Sequence, residues 1–147
     1  MSAGFLLDTN VLSELMREHP TEAVLGWFAQ HALASMHTST ITQAEILTGI
    51  ALLPVGKRRT ALAVAAEQMF GQDFAQLCHV FDAAAAKNYA LIVAARTRLG
   101  QPISTEDGQI VAIAMARGLA VVTRNTKDFE NIEGLTVTNP WENNNAH

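Results

Sequence analysis

The chain has 147 residues, room for one domain with a real core, and 49% hydrophobic against 16% charged residues excludes a disordered protein. A net charge of -4 argues against holding nucleic acid by charge alone, though not against an enzyme that meets phosphate through bound divalent cations, which reverse the local sign. With one cysteine, Cys78, no internal disulfide can form, and a reducing cytoplasm is the expected compartment.

In chain order, Gly4–Leu7 is a short apolar run, read as a buried strand. It is too short for a secretory signal and is broken by Asp8, and no later run is long enough to span a bilayer. A helix is predicted from Val11 to Glu18, and another from Pro20, a favoured first helical position. Ser35–Ser39 reads as a second strand. Ile41–Leu53 is a helix stopped by Pro54, and Lys57–Phe70 is a further helix. Leu77–Phe81 is a short strand. The alanine-rich helix Ala83–Leu99 ends at Gly100, and the helix Glu106–Arg117 ends at Gly118. Leu119–Thr123 is a buried strand and Leu135–Thr138 a last one. The polar tail, 142–147, reads as disordered, so the domain spans 1–141. Short apolar strands alternating with helices imply an α/β fold with a parallel sheet covered on both faces. Its chemistry belongs outside the carboxyl ends of the strands.

Four acids fall at such places. Asp8 ends the first strand, in Leu6-Leu7-Asp8-Thr9-Asn10-Val11, where it also suits a helix cap. Glu45 closes the capping-box pattern Thr42-Gln43-Ala44-Glu45, yet helical spacing sets it beside Ile41, Thr48, Gly49 and Leu52. A carboxylate on a mostly apolar face is costly unless something pairs with it. Asp107 has capping spacing from Ser104, but it heads the stripe Ile110, Val111 and Ala114 that should face the sheet; Glu106 points elsewhere. Asp128 lies in the polar turn Thr123-Arg124-Asn125-Thr126-Lys127-Asp128-Phe129 after the Leu119–Thr123 strand. Each acid has an ordinary explanation as a cap or turn residue. Gathered at one edge of a sheet, four carboxylates repel and raise each other's pKa values. A divalent cation removes that conflict, and hard oxygen ligands suit Mg²⁺ or Mn²⁺. Such a metal activates water against a scissile phosphate, so no nucleophilic side chain is needed.

Other chemistries fit poorly. The five histidines lack zinc spacing, with His37 and His79 expected as core or edge residues, and Cys78 as a small core residue. No glycine-rich phosphate loop is present. Trp27, Tyr89 and Trp141 show no stacking platform. The basic groups Lys57-Arg58-Arg59, Arg96 with Arg98, and Arg124 with Lys127 read equally as solvated surface or as phosphate contacts.

The segments from Leu6 to Val11, Thr42 to Ile46, Asp107 to Ala114 and Thr123 to Phe129 resemble the successive motifs of the PIN domain, most closely the VapC and FitB toxins of type II toxin–antitoxin modules. The resemblance runs from Phe5 to Pro140. It implies a three-layer α/β/α fold around a parallel sheet of about five strands. It implies an acidic quartet of Asp8, Glu45, Asp107 and Asp128 that binds Mg²⁺ or Mn²⁺, with Asp8 and Asp107 the most direct ligands. Asn10, Thr123 and Asn125 would support the site. It further implies hydrolytic cleavage of RNA, often transfer RNA, by a homodimer held inactive by a cognate antitoxin, which itself binds operator DNA. Arg124, Lys127, Lys57, Arg58 and Arg59 are the candidates to hold the RNA backbone. Val111 stands where the family often has alanine, a departure that touches no expected ligand. Two rival readings stand beside this one. An aspartyl-nucleophile phosphatase would also place Asp at the end of the first strand, but typically carries a second Asp where this chain has Asn10. A catalytically silent PIN-like binding module would be marked by loss of an acid, and all four are present.

Overall fold

The computed structural model describes residues 4–142; beyond Glu142, the expected disordered tail lies outside the described residues. The central sheet is parallel throughout. Its strands are β1 (Phe5–Leu7), β2 (Met36–Ser39), β3 (Cys78–His79), β4 (Ala120–Val122) and β5 (Val137–Thr138), in the order β3-β2-β1-β4-β5. The helices are α1 (Thr9–Leu15), α2 (Glu22–Ala29), α3 (Thr40–Ala51), α4 (Lys57–Gln68), α5 (Ala83–Arg98) and α6 (Thr105–Arg117). Among the described residues no helix is long and apolar enough to cross a membrane.

The alternation of side chains along a strand divides the core in two. Leu6 pairs with Val121, and both pack on one face with Ile92 of α5 and Ile110, Val111 and Ile113 of α6. Leu7 pairs with Val122, and both pack on the opposite face with Met36, with Val11 and Leu12 of α1, and with Ile46 and Ile50 of α3. Near-continuous apolar strands are what a sheet buried on both faces requires. The three-layer expectation is met. The chain winds outward from β1 to β3, then returns to build β4 and β5 on the other side. The order therefore reverses between β1 and β4, the place where such sheets open a crevice.

The expected elements are all present, with shifted ends. The first helix starts at Thr9 rather than Val11, because Asp8 caps it by accepting the Thr9 amide, and it stops at Leu15 rather than Glu18. The second begins at Glu22 rather than Pro20. The buried Glu14 carboxylate takes both the amide and the hydroxyl of Thr21, each at 2.7 Å, so that hydroxyl does not cap α2. The helix predicted to Phe70 passes at Met69 into a wider π turn, Met69–Asp73. Gly118 closes α6 in the left-handed region, φ 67°, as its position predicts.

Glu14 also accepts two bonds from Arg17 at 3.1 Å. It is the staple between the end of α1 and the start of α2. Glu14→Ala removes these acceptors and leaves Thr21 unpaired, so a loss of about 1–3 kcal/mol is expected in urea unfolding; an unchanged midpoint would remove Glu14 from this role.

Candidate active site

At the carboxyl end of β1 the Asp8 amide still donates to Val122 of β4, at 2.9 Å, so Asp8 is fixed to the sheet by its backbone. Its carboxylate is buried and bonded on both oxygens. One oxygen accepts the Thr9 amide at 2.8 Å; the other accepts the Thr123 hydroxyl at 2.8 Å and the Asn10 amide at 3.3 Å. The Asn10 amide also reaches Thr123 Oγ1 at 3.3 Å, and its carbonyl oxygen accepts the Arg124 amide at 3.1 Å. The Asn125 amide donates to Thr123 Oγ1 at 3.1 Å. The three residues expected to support the site thus gather around Asp8, two by side chain and Asn125 by its main chain.

Asp107 stands in the first turn of α6, half-buried, with its amide capped by Ser104 Oγ at 3.1 Å. Glu106 is exposed, as its spacing predicts, and behind Asp107 the residues Gly108 and Ile110 through Ala114 are buried. Glu45 is a different case from the one its sequence suggests. The cap of α3 is Ser39, which accepts the Thr42 amide, so the four-residue pattern ending at Glu45 is no capping box. Nor is its face apolar core: α3 buries Thr42, Ile46 and Ile50, while Glu45, Thr48, Gly49 and Leu52 are exposed. What holds Glu45 is Thr9, whose hydroxyl donates to it at 2.5 Å. Asp128 is exposed, on a 3₁₀ turn, Thr126–Phe129, after β4.

The four acids share one electrostatic neighbourhood. Asp107 is pushed up to about 6, first by burial and then by the charge of Asp8; Asp128 and Glu45 add to the rise, and Ser104 opposes it. Asp8 is also raised, by burial above all, despite the hydrogen bonds from Thr123 and Thr9 that favour its charge; Glu45 and Asp128 push the same way. No basic side chain is among the described groups that act on either carboxyl. Among the described residues, no three His, Cys, Asp or Glu side chains stand close enough to enclose a metal ion. The donor set still fits a hard divalent cation, because Mg²⁺ is commonly held by one or two carboxylates and keeps several waters. Asp8 and Asp107 are the pair that burial and repulsion leave most in need of a counter-charge.

A groove of about 860 Å³ runs from Thr9 and Glu45 between α1, α3 and α4, with Ile46, Ile50 and Leu62 along it and Arg58 and Arg17 on its walls. Of the basic candidates, Arg58 lines this groove, and Lys57 is exposed beside it in sequence; Arg59 is half-buried and lines no part of it. Lys127 and Arg124 are exposed next to Asp128 and Thr123. Arg124 lies over the Trp141 ring, 4.9 Å from its centroid, a pairing that distance in sequence concealed. Arg96 is buried and belongs to no surface group. Sequence reasoning passed over Thr9, because a residue beside a catalytic candidate reads as part of the cap; only α3 packing beside it shows that it reaches Glu45. His37 of the inner strand β2 and His79 of the edge strand β3 stack, Nδ1 to Nε2 2.8 Å, both half-buried.

The model of the PIN domain family matches residues 5–135. The chain is 40% identical to VapC ribonuclease Y4jK of Sinorhizobium fredii, over 93% of this chain and 97% of that protein. It is 39% identical to toxin FitB of Neisseria gonorrhoeae, over 92% and 97%. A solved structure of FitAB bound to a DNA fragment superposes with a TM-score of 0.89 at 37% identity, covering 97% of this chain and 99% of that one.

The raised Asp107 carboxyl has a thermodynamic signature. Its ordinary value is 3.8 and its folded value about 6, so between these the folded chain holds a proton that the unfolded chain has lost. Stability of the metal-free protein therefore falls as pH rises through that window. Asp107→Asn should flatten the fall, melting a few degrees above the wild type near pH 7 and together with it near pH 3.5. Calorimetric scans of both proteins check this; parallel pH profiles would refute it.

Proposed function

Since the chain belongs to the PIN-domain family, we propose that it is a metal-dependent endoribonuclease, the toxin of a type II toxin–antitoxin module. The observation that carries the reading is the buried Asp8 carboxylate, bonded on both oxygens and still raised by the charges of Glu45 and Asp128, while it raises Asp107 in turn and no basic side chain is among the described groups acting on either. Likeness to a VapC ribonuclease and to toxin FitB along nearly the whole chain supports the same reading. Neither rival gains support. The position that would carry a phosphatase's second Asp is Asn10, whose amide is spent on Asp8 and Thr123, and the acids that a silent module would lack are all present.

Asp8 and Asp107 are the residues proposed to hold Mg²⁺ or Mn²⁺, with Glu45 and Asp128 reaching it directly or through water. When bound, the cation supplies Lewis-acid stabilisation of the phosphodiester and a water more readily deprotonated. The chain's own residues do the rest. Thr123, Asn10 and the Thr9 amide lock Asp8 in one orientation, so it need not reorganise during reaction. Thr9 holds Glu45 on the facing helix. Half-buried Asp107, whose charge burial and Asp8 disfavour in the free protein, would be held ionised by a bound cation. Exposed Arg124 and Lys127, after β4, and Arg58, on the groove, are the residues proposed to meet the substrate's phosphates.

The proposed substrate is RNA of the transfer RNA class, and the proposed compartment a reducing cytoplasm. As in toxin–antitoxin modules generally, a homodimer would be neutralised by a cognate antitoxin, which would supply contact with operator DNA. Asp8→Asn keeps the shape of the site and loses the charge. We expect cleavage of total transfer RNA in Mn²⁺ to fall about 10³-fold, or about 4 kcal/mol of transition-state stabilisation, with melting temperature unchanged or raised. EDTA should stop the wild-type reaction and Mn²⁺ restore it. A folded Asp8→Asn protein cutting at the wild-type rate, or wild-type cleavage indifferent to EDTA, would overturn the assignment.

A further inference from the structure

We propose that Arg96 is a positioning residue for Asp128, acting through the main chain of the turn that carries it; the proposal rests on the ribonuclease reading above. Arg96 lies in the last turn of α5, remote in sequence from every acid, and is only 6% exposed. It has no carboxylate partner: among the described residues the ion pair is Arg17 with Glu14. Its Nε donates to Gln101 O at 2.6 Å, and its Nη1 to Asp128 O at 3.0 Å and Glu130 O at 3.1 Å.

These are carbonyls that the fold leaves over. Gln101 follows the end of α5, and its amide returns a bond to Arg96 O at 2.9 Å. Asp128 and Glu130 sit at the carboxyl end of the 3₁₀ turn, where carbonyls run out of amide partners and a cation is favoured. Between them Phe129 is buried in the core. The aromatic ring sets how deep the turn sits. The guanidinium, gripping the carbonyls on either side of it, sets how the turn is rotated, and so where the Asp128 side chain leaves the backbone. The Asp128 amide completes the hold by donating to Asn125 O at 3.1 Å. One terminal nitrogen, Nη1, serves both turn carbonyls while Nε holds Gln101 O, so one rigid plane ties the turn to the end of α5, a geometry that the flexible point charge of a lysine does not fix. An apolar residue would leave these carbonyls unpaired, and a buried cation without an anion is costly unless such bonds are made.

The test uses the full chain. Arg96→Lys keeps a cation that reaches fewer carbonyls, and Arg96→Gln removes the charge; circular dichroism and melting identify the folded variants, with Arg96→Lys the one expected to stay folded. Rates of RNA cleavage in saturating Mn²⁺ are then measured in the wild-type and Asp128→Asn backgrounds. Arg96→Lys should lower kcat about 10–100-fold with KM within about twofold, the range for a residue that orients a ligand. In the Asp128→Asn background the same change should cost less than about twofold, because there is no carboxylate left to place. A folded Arg96→Lys protein with wild-type kcat, a change in KM alone, or full additivity with Asp128→Asn overturns this proposal while leaving the ribonuclease reading intact. A wild type without metal-dependent cleavage overturns that reading, and this proposal with it.

Discussion

A carboxylate buried at the reversal point of a parallel sheet is the constraint on which the rest of this structure turns. Asp8 follows a strand paired on both sides, so its backbone has no freedom, and its amide is still part of the ladder to β4. Burial raises the cost of its charge, and the chain answers with donors drawn from three places: its own helix start, Asn10 two residues on, and Thr123 from the end of β4. Those donors are enough to fix its orientation but not to return its pKa to the ordinary range. A surplus of negative charge is left standing, which an external cation can satisfy and a neutral ligand cannot.

Asp107 depends on helix packing rather than on the sheet. It reaches the edge because α6 lies close against α5, and the residue after it must be small for that approach. A Cβ on Gly108 would come within 2.9 Å of the Tyr89 ring. Tyr89 in turn meets Phe81 edge-on, 5.7 Å between centroids. The stripe from Ile110 to Ala114 then buries α6 on Leu6 and Val121, the face of the sheet opposite to Leu7 and Val122. Asp107 thus rests on the core of one face, while the strand that carries Asp8 packs into both.

The parallel sheet and the places of Asp8, Asp107 and Asp128 were legible because short apolar runs alternating with helices, strand ends and first helical turns are local signals. Glu45 was named for a reason that failed: the capping pattern around it is unused, and the face it shares is open to water. Its true anchor, Thr9, lies 36 residues away, a contact that no local pattern carries. Arg96 was unreadable for the same reason. An arginine near the end of an alanine-rich helix looks like solvated surface, and only the fold brings the carbonyls of Asp128 and Glu130 to it. The strand ends moved inward because pairing, rather than hydrophobicity, decides where a strand stops. Thr123 stands one residue past β4, its amide still bonded to Thr138 O at 2.9 Å and its hydroxyl given to Asp8.

In the sequence, capping and chemistry compete as explanations for the same acids; in the structure they are one arrangement. Asp8 is the cap of α1 and Asp107 stands in the first turn of α6. Both helices begin at the carboxyl edge of the sheet, as parallel connectivity requires. Their first amides lack partners within the helix and carry partial positive charge, which favours a carboxylate there. That is why the fold tolerates buried negative charge at this edge before any cation arrives. The same geometry would let an acidic chain serve the polyanionic substrate proposed for it. On the proposed reading the repulsive charge is concentrated where a divalent cation would reverse it, and exposed Arg124, Lys127 and Arg58 would be the groups to meet phosphate. Overall charge would then be a poor guide to the partner, since the contact would be decided within this edge.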